Sequence, residues 1–226
     1  MLKPEVDYSK FRWEKRNEPE FRHLKLILAW PAYFLFFFLT EKFIPYDKCH
    51  VIHSVVDDMV PFNEYFILAY VSWYLLLAGT LFFFLFFDVE SFKKCQIFIM
   101  WTQLIAMLIY IFWPNIQHLR PETLPRKNFC SQIVSLIYSV DTPTGVMPSL
   151  HVAYSLAIMS VWMKKKDAPL IFRLFISAWS LTVCYSVMAV KQHSFVDVVG
   201  AAIMCLVIEI VLYRKYWANL FRGKKD

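Results

Sequence analysis

The sequence predicts an all-α integral membrane protein with six transmembrane helices. Of its 226 residues, 58% are hydrophobic and only 19% are charged, whereas a soluble domain has roughly 45–50% apolar and about 25% charged residues. The apolar residues form long runs, and the basic residues cluster between these runs. This pattern excludes a disordered or nucleic-acid-wrapping chain and disfavours a simple soluble enzyme, because the surplus apolar surface must face something other than water.

Six runs approach the ~20 apolar residues that a helix needs to cross a bilayer. The runs are residues 24–43, 65–87, 96–113, 149–163, 169–190 and 195–213. The fourth is the shortest, and we expect its outer end to extend into the preceding loop. Met1 is followed by a polar and charged stretch instead of the apolar region of a signal peptide, so the first run is expected to be a retained helix. Together, residues 24–213 form the predicted six-helix membrane domain.

The basic residues predict the orientation of the chain. With the N-terminus inside, 18 lysine and arginine residues lie on the inner side and six on the outer side. The positive-inside rule therefore places both termini in the cytoplasm and explains the net charge of +6 without nucleic acid as a partner. Residues 1–23 are either a solvated cytoplasmic segment or an interfacial helix on anionic lipid. Residues 214–226 form a basic cytoplasmic tail.

The predicted outer connections, residues 44–64 and 114–148, are much longer than the inner ones, which indicates that function faces outward. Cys49 and Cys130 both fall on this side, where they are either disulfide-bonded or free thiols.

The first outer connection also carries a group of potential metal ligands. His50 and His53, followed by Asp57 and Asp58, are consistent with a metal site or with an acidic loop. The loop is favoured because no third well-spaced ligand is evident. We therefore expect no metal and no cofactor.

Two helix starts carry the candidate chemistry, and the first is the start of the fourth run. Pro148 and Ser149 are typical of a helix N-terminus, with Ser149 as the capping residue. His151 then lies in the first turn, beside free backbone N–H groups and the positive end of the helix dipole. Such a position binds anions, phosphate above all.

The sixth run begins with a similar arrangement. His193 and Asp197 are four residues apart, which places them on one helix face if the helix has begun at His193. Ser194 and Asp197 also fit a capping box, in which the aspartate serves only the helix end. By topology both histidines lie at the same outer membrane level, which favours a functional site made from two imidazoles, a carboxylate and two helix N-termini.

These residues resemble the signatures of the type 2 phosphatidic acid phosphatase superfamily. Residues 148–151, Pro-Ser-Leu-His, resemble its second signature, P-S-G-H, in the form found in sphingomyelin and inositol-phosphorylceramide synthase-like relatives. The third signature, S-R-x5-H-x3-D, matches Ser186, His193 and Asp197, with Val187 in place of the arginine. The first signature, K-x6-R-P, is retained only as Arg120-Pro121, with Trp113 in place of the lysine.

The resemblance implies a role for each matching residue. His193 would attack phosphorus and become a phosphohistidine, Asp197 would orient its imidazole, and His151 would protonate the departing oxygen and later activate the acceptor. Arg120 is the expected phosphate ligand. Ser149 caps the phosphate-binding helix start, and Lys191 supplies a second charge or snorkels at the interface. Asn115, Gln117 and His118 either line a headgroup pocket or solvate the loop.

The resemblance therefore implies an enzyme that acts on a lipid carrying a phosphate-linked headgroup. It would either hydrolyse a lipid phosphate or transfer the headgroup to a lipid alcohol such as ceramide or diacylglycerol. The substitution of Val187 favours the lipid acceptor. The alternative is a non-enzymatic membrane protein that binds or transports lipid, or a bundle that binds haem through two histidines.

Overall fold

The computed structural model describes residues 3–214, and helices make up most of this range. The α-helices are α1 (Ala29–Phe43), α2 (Val55–Met59), α3 (Ile67–Phe87), α4 (Val89–Phe112), α5 (Phe129–Val140), α6 (Leu150–Lys164), α7 (Leu170–Ala189) and α8 (Phe195–Leu212). Two short strands, β1 (His50–Val51) and β2 (Asn115–Ile116), pair in parallel. Short 3-10 helices cover Tyr8–Lys10, Trp13–Asn17, Arg22–Leu28, Tyr46–Lys48 and Glu64–Phe66. Of the predicted basic tail, residues 215–226 lie outside the described range.

Five helical stretches in the described range are long and apolar enough to cross a membrane, as in an integral membrane protein. They are Arg22–Thr40, Glu64–Phe87, Val89–Phe112, Leu170–Ala189 and Phe195–Leu212. These stretches coincide with the first, second, third, fifth and sixth predicted runs, so the helical class is confirmed, with five candidate membrane spans.

The fourth predicted run corresponds to α6, which is a shorter helix. Its 15 residues extend about 22 Å at 1.5 Å per residue, less than the ~30 Å of a hydrocarbon core. It packs against α3, α4, α7 and α8, and these neighbours bury it on most sides. The sixth membrane span and the cytoplasmic position of both termini stay predictions.

The end of the bundle where α6 stops is fastened by polar contacts. A single residue, Asp88, joins α3 to α4, and its side chain caps α4 by accepting from the Ser91 N–H at 2.9 Å. The Lys165 amine lies 2.7 Å from the Asp88 carboxylate. Lys164 forms an ion pair with Glu209 of α8.

The N-terminal segment packs against the same end. The Tyr8 hydroxyl donates to the Leu85 carbonyl at 2.6 Å, and the Glu5 carboxylate accepts from the Val89 N–H at 2.7 Å. Phe21 is buried beneath the segment. The described part of residues 1–23 is therefore tied to the turn between α3 and α4.

The opposite end, where α6 and α8 begin, carries the two long connections, and β1 and β2 join them. Glu64 is fully buried, and its carboxylate accepts a bidentate pair of hydrogen bonds from the Arg126 guanidinium. Helix α5 lies inside the connection that the sequence predicts only as a loop. Cys49 and Cys130 are free thiols, as are the other cysteines.

Candidate active site

A tight turn between α7 and α8 positions His193. The backbone N–H groups of Gln192 and His193 both donate to the Val187 carbonyl, each at 3.0 Å. Lys191, within the turn, has a φ of 53°, in the left-handed region that non-glycine residues adopt infrequently. The turn therefore fixes the His193 ring immediately before α8 begins.

The hydrogen bonds of His193 define which ring nitrogen can react. Its Nδ1 lies 3.0 Å from the Val146 carbonyl oxygen and 3.2 Å from the Asp197 Oδ2. Both partners can only accept, which assigns the proton to Nδ1 and leaves a lone pair on Nε2 when the ring is neutral. The His193 ring thus has a nucleophilic nitrogen on the side away from the aspartate.

Asp197 serves the histidine and the helix at the same time. Its Oδ2 accepts from the Ser194 N–H at 2.8 Å in addition to facing His193. The Ser194 side chain completes a capping box at the start of α8. The carboxylate is fully buried, and Oδ1 has no hydrogen-bond partner among the described residues. The Asp197 carboxylate therefore makes the capping contact and the contact to His193 at the same time.

His151 lies in the first turn of α6, whose N-cap, Ser149, accepts from the Val152 N–H at 3.4 Å. The His151 ring is held between Tyr70 and Trp73, with ring-centroid distances of 4.4 Å to each. Its buried Nε2 has no hydrogen-bond partner in the described part of the chain.

The two histidine rings face one cavity. Their centroids are 6.0 Å apart, so a single group bound in the cavity can contact both rings. The cavity has a volume of about 340 Å³. Besides the histidines, Asp141, Gln192, Thr142 and Thr144 provide its polar wall. Aromatic residues provide most of the rest: Trp30, Tyr33, Phe34, Phe37, Tyr70, Trp73, Tyr74, Tyr110 and Tyr154.

Arg120 and His118 lie outside this cavity. The Arg120 guanidinium stacks on the Tyr138 ring at 4.7 Å and donates to the Asp141 carbonyl at 2.9 Å. The Arg120 Nη2 is 3.9 Å from the carboxylate of Asp141. Asp141 lines the cavity, whereas Arg120 does not. His118 is exposed on the surface.

Lys191 also points away from the cavity. Its amine donates to the carbonyl oxygens of Asp57 and Val60, at 2.6 and 2.5 Å. Burial lowers the pKa of this amine, and the charges of Asp57 and Asp58 oppose that change. In this structure the lysine clamps α2 against the His193 turn.

Asn115 and Gln117 shape the loops that carry the histidines. Asn115 Oδ1 accepts from the N–H groups of Val146 and Met147, each at 2.8 Å. The Gln117 amide donates to the Lys191 carbonyl at 3.1 Å. Both side chains are buried, but neither lines the cavity.

Asp57, weighed from sequence as a metal ligand, instead binds the start of α8. Its carboxylate accepts from the Ser194 hydroxyl at 2.6 Å and from the Phe195 N–H at 2.7 Å. It also accepts from the Ser54 N–H at 2.8 Å. Over residues 3–214 the structure contains no cluster of three histidine, cysteine or acidic residues that could hold a metal.

Several residues that line the cavity are not identified from the sequence. Asp141 and Gln192 are linked by a hydrogen bond of 3.0 Å, although they are 51 residues apart, and no local pattern indicates this pairing. Tyr70, Trp73 and Tyr74 do carry a signal, because a spacing of three and four places them on one helix face. In an apolar run, that stripe is easily mistaken for ordinary core.

The fold and the site define a helical membrane protein in which two histidines and an aspartate meet at the starts of two neighbouring helices. A model of the PAP2 superfamily matches residues 101–221, which is more than half of the chain, and the chain belongs to this superfamily. Superfamily members are generally phosphatase-type enzymes that act on phosphorylated substrates. The searches of curated proteins and of solved structures found no match.

Proposed function

We propose that this protein is a six-span membrane enzyme that cleaves a phosphate-linked lipid through a phosphohistidine on His193. The phosphoryl group then passes either to water or to a lipid alcohol such as ceramide or diacylglycerol. The synthase-like branch of the superfamily and an active site on the extracytoplasmic side are part of this proposal.

The observation that carries the proposal is the relationship between the two histidines. His193 Nε2 has a free lone pair because Nδ1 is bound to Asp197 and Val146. His151 Nε2 has no hydrogen-bond partner in the described range, and the rings are 6.0 Å apart across one cavity. A nucleophile and an acid on opposite sides of a phosphorus atom need this arrangement.

In the first step, the Nε2 lone pair of His193 attacks phosphorus, and the bond from phosphorus to the glycerol oxygen breaks. Protonated His151 gives its proton to that oxygen, so diacylglycerol leaves as a neutral alcohol. The negative phosphate favours the protonated imidazole of His151. Asp197 balances the positive charge that forms on His193.

In the second step, His151 removes a proton from the incoming hydroxyl group. The hydroxyl oxygen bonds to phosphorus and the bond from phosphorus to His193 breaks, which restores the neutral imidazole. Water as acceptor gives a free phosphate compound, and a lipid alcohol gives a new phospholipid. The first half-reaction is common to both.

Two departures from the superfamily signatures affect phosphate binding. Trp113 occupies the lysine position and stacks on His50, with ring centroids 5.2 Å apart. Val187 occupies the arginine position and is fully buried. The start of α8 already binds the Asp57 and Asp197 carboxylates, so the first turn of α6 and the protonated His151 are the proposed phosphate-binding groups.

The test uses purified protein in nanodiscs with a phospholipid that carries ³²P, with and without ceramide or diacylglycerol. Release of a water-soluble phosphate compound identifies hydrolysis, and a new labelled lipid identifies transfer. Acid-labile label on the protein identifies the phosphohistidine. If neither a labelled product nor a labelled protein forms, the proposal fails and the non-enzymatic alternative stands.

The matched variants are His193→Asn and His118→Asn, because His118 is an exposed histidine outside the cavity. We expect the His193 variant to lose the label and turnover and the His118 variant to keep both. Equal turnover by the two variants would refute the assignment of His193.

A further inference from the structure

The cavity beside His193 has an unusual charge for a site that must hold phosphate. Neither lysine nor arginine occurs among the described residues that line it. The ionisable groups of its wall are the two histidines and Asp141, apart from the tyrosine hydroxyls. A carboxylate repels a phosphate group, and this repulsion is strong where water is scarce.

The position of Asp141 is fixed. Its Oδ2 accepts from the Gln192 amide at 3.0 Å, and the nearest arginine, Arg120, stays 3.9 Å away. The nitrogens of Arg120 donate to backbone carbonyls, including those of Asp141 and Thr142. The Asp141 carboxylate is therefore oriented by a neutral amide and only loosely paired with a cation.

Aromatic rings form most of the remaining wall. Tyr70, Trp73 and Tyr74 come from α3. Trp30 and Tyr33 come from α1. The faces of aromatic rings attract cations held within about 6 Å of the ring centroid, and proteins use this contact to recognise quaternary ammonium groups. The cavity wall combines one carboxylate with several such rings.

We propose that this cavity binds a positively charged substituent of the substrate headgroup, an ammonium or trimethylammonium group, through Asp141 and the aromatic wall. This inference rests on the proposed function of His193, because the cation site selects which phosphate-linked lipid reaches that histidine. The volume of about 340 Å³ is within the usual range of small-molecule sites, roughly 300–1,000 Å³.

Such a site explains how the phosphate is tolerated beside Asp141. A zwitterionic headgroup brings its own counter-charge, whereas a phosphate monoester brings negative charge alone. After diacylglycerol leaves, the same contacts hold the headgroup that is still attached to His193. The cation site thus takes the place of the two missing signature cations.

The first test compares turnover of phosphatidylcholine, phosphatidylethanolamine, phosphatidylglycerol and phosphatidic acid with identical acyl chains. We expect kcat/KM to be at least about tenfold higher for the two cationic headgroups, a difference of the size that cation–π and ionic contacts supply. Asp141→Asn should raise KM for these two lipids and lower it for phosphatidylglycerol, because the neutral amide no longer repels a phosphate that lacks its own counter-charge. Phosphatidic acid as the best substrate, or an equal loss for all four lipids, would overturn the proposal.

Two further variants separate binding from folding. Tyr74→Phe keeps the ring and should keep the preference, whereas Tyr74→Leu should reduce it. Asp58→Asn is the control for loss of an acid, because Asp58 is exposed and pairs with His53 at 3.0 Å. Loss of preference in Asp58→Asn, or equal behaviour of the two Tyr74 variants, would contradict the assignment.

A binding measurement keeps the inference distinct from the proposed function. Choline and its neutral isostere, 3,3-dimethylbutan-1-ol, are titrated against the protein in nanodiscs, with the thermal midpoint as the readout. We expect choline to bind at least about fivefold more tightly than the isostere, and this advantage to disappear in Asp141→Asn. Absence of lipid turnover with retained choline selectivity would refute only the catalytic proposal. Equal binding of the two compounds, or no binding of either, would refute the cation site.

Discussion

The carboxylate of Asp57 accepts a hydrogen bond from the Ser194 hydroxyl at 2.6 Å, across 137 residues of sequence. The same carboxylate accepts from the Phe195 N–H at 2.7 Å. Helix α2 is thereby fastened to the start of α8, next to His193. Under the proposed function Asp57 is a positioning residue, because it reaches the His193 ring, the proposed nucleophile, only through the Ser194 turn.

Replacement of Asp57 should slow the reaction without changing substrate binding. Asp57→Ala leaves the buried Ser194 hydroxyl and Phe195 N–H without this acceptor, and each such group costs about 1–3 kcal/mol. A small displacement of a nucleophile lowers rates by about a hundredfold. We expect kcat to fall by about 10- to 100-fold with KM nearly constant, measured by lipid turnover per folded protein.

The neighbouring variant Asp58→Asn controls for a charge change on α2. It should keep kcat within about twofold, as is usual for an exposed pair. A rise in KM with constant kcat in Asp57→Ala would point to substrate contact instead of positioning.

Asp197→Asn tests the orientation of the His193 ring. The asparagine amide can donate to Nδ1, which would stabilise the tautomer with the proton on Nε2 and remove the nucleophilic lone pair from the cavity. A comparable substitution in a serine protease triad costs about 10⁴ in rate. We expect phosphohistidine formation in single-turnover experiments to slow by about 10²- to 10⁴-fold.

Glu209→Gln is the matched control for loss of a buried acid on α8. Glu209 lies at the far end of this helix and pairs with Lys164. The variant should lower the thermal midpoint but keep the rate per folded protein. A similar loss of rate in both variants would mean that helix stability, and not ring orientation, limits the reaction.

The sequence was sufficient for the features that local patterns encode. Apolar runs predicted the five membrane-compatible helices, and helix-start signals placed Ser149 and Ser194 as N-caps. The four-residue spacing of His193 and Asp197 predicted their contact. Each of these features depends on neighbours within one or two helical turns, where periodicity and capping chemistry determine the outcome.

The features that the sequence did not reveal depend on distant parts of the chain. Arg120 was expected at the phosphate, but its position next to Asp141 is set by how the long connection folds around α5. Lys191 similarly turns to carbonyl oxygens of α2 and its following residue. Charge type alone predicts a plausible ligand, whereas the direction of a long side chain depends on packing between loops.

Val187→Arg restores the arginine of the superfamily signature and should nevertheless harm the protein. Val187 is fully buried in α7, and an unpaired charge in such a position costs several kcal/mol. We expect the yield of folded protein and the thermal midpoint to fall sharply, with no gain in turnover. Val51→Arg, at an exposed position on β1, should fold normally. A well-folded, more active Val187→Arg protein would show that the position opens to phosphate.

Asn115→Ala distinguishes a scaffold residue from a headgroup ligand. The Asn115 side chain accepts two hydrogen bonds from the loop before α6 and donates to the carbonyls of Trp113 and Met147, each at 3.1 Å. Loss of these contacts should destabilise the protein by on the order of 2–4 kcal/mol. We expect a lower thermal midpoint and lower kcat, with KM unchanged. A selective rise in KM would instead support the headgroup-pocket interpretation.

The pH dependence of choline binding should report the ionisation of Asp141. Burial raises the pKa of this carboxyl above its ordinary value of 3.8, and the charges of Arg120 and His193 and the Gln192 hydrogen bond oppose the change only in part. The bound cation favours the carboxylate, so proton and choline compete. Affinity should therefore be full above the raised pKa and fall as the pH decreases through it, by about tenfold per unit below the midpoint.

The measurement follows choline affinity from about pH 7 to pH 4 in the double variant His193→Asn, His151→Asn, which removes both imidazoles from the cavity wall. Adding Asp141→Asn should abolish the dependence and leave the weak affinity of the aromatic wall alone. A midpoint below 3.8 would mean that Arg120 pairs with the carboxylate more closely than their 3.9 Å separation indicates. The cation would then bind through the rings, and the preference for zwitterionic lipids would be independent of pH.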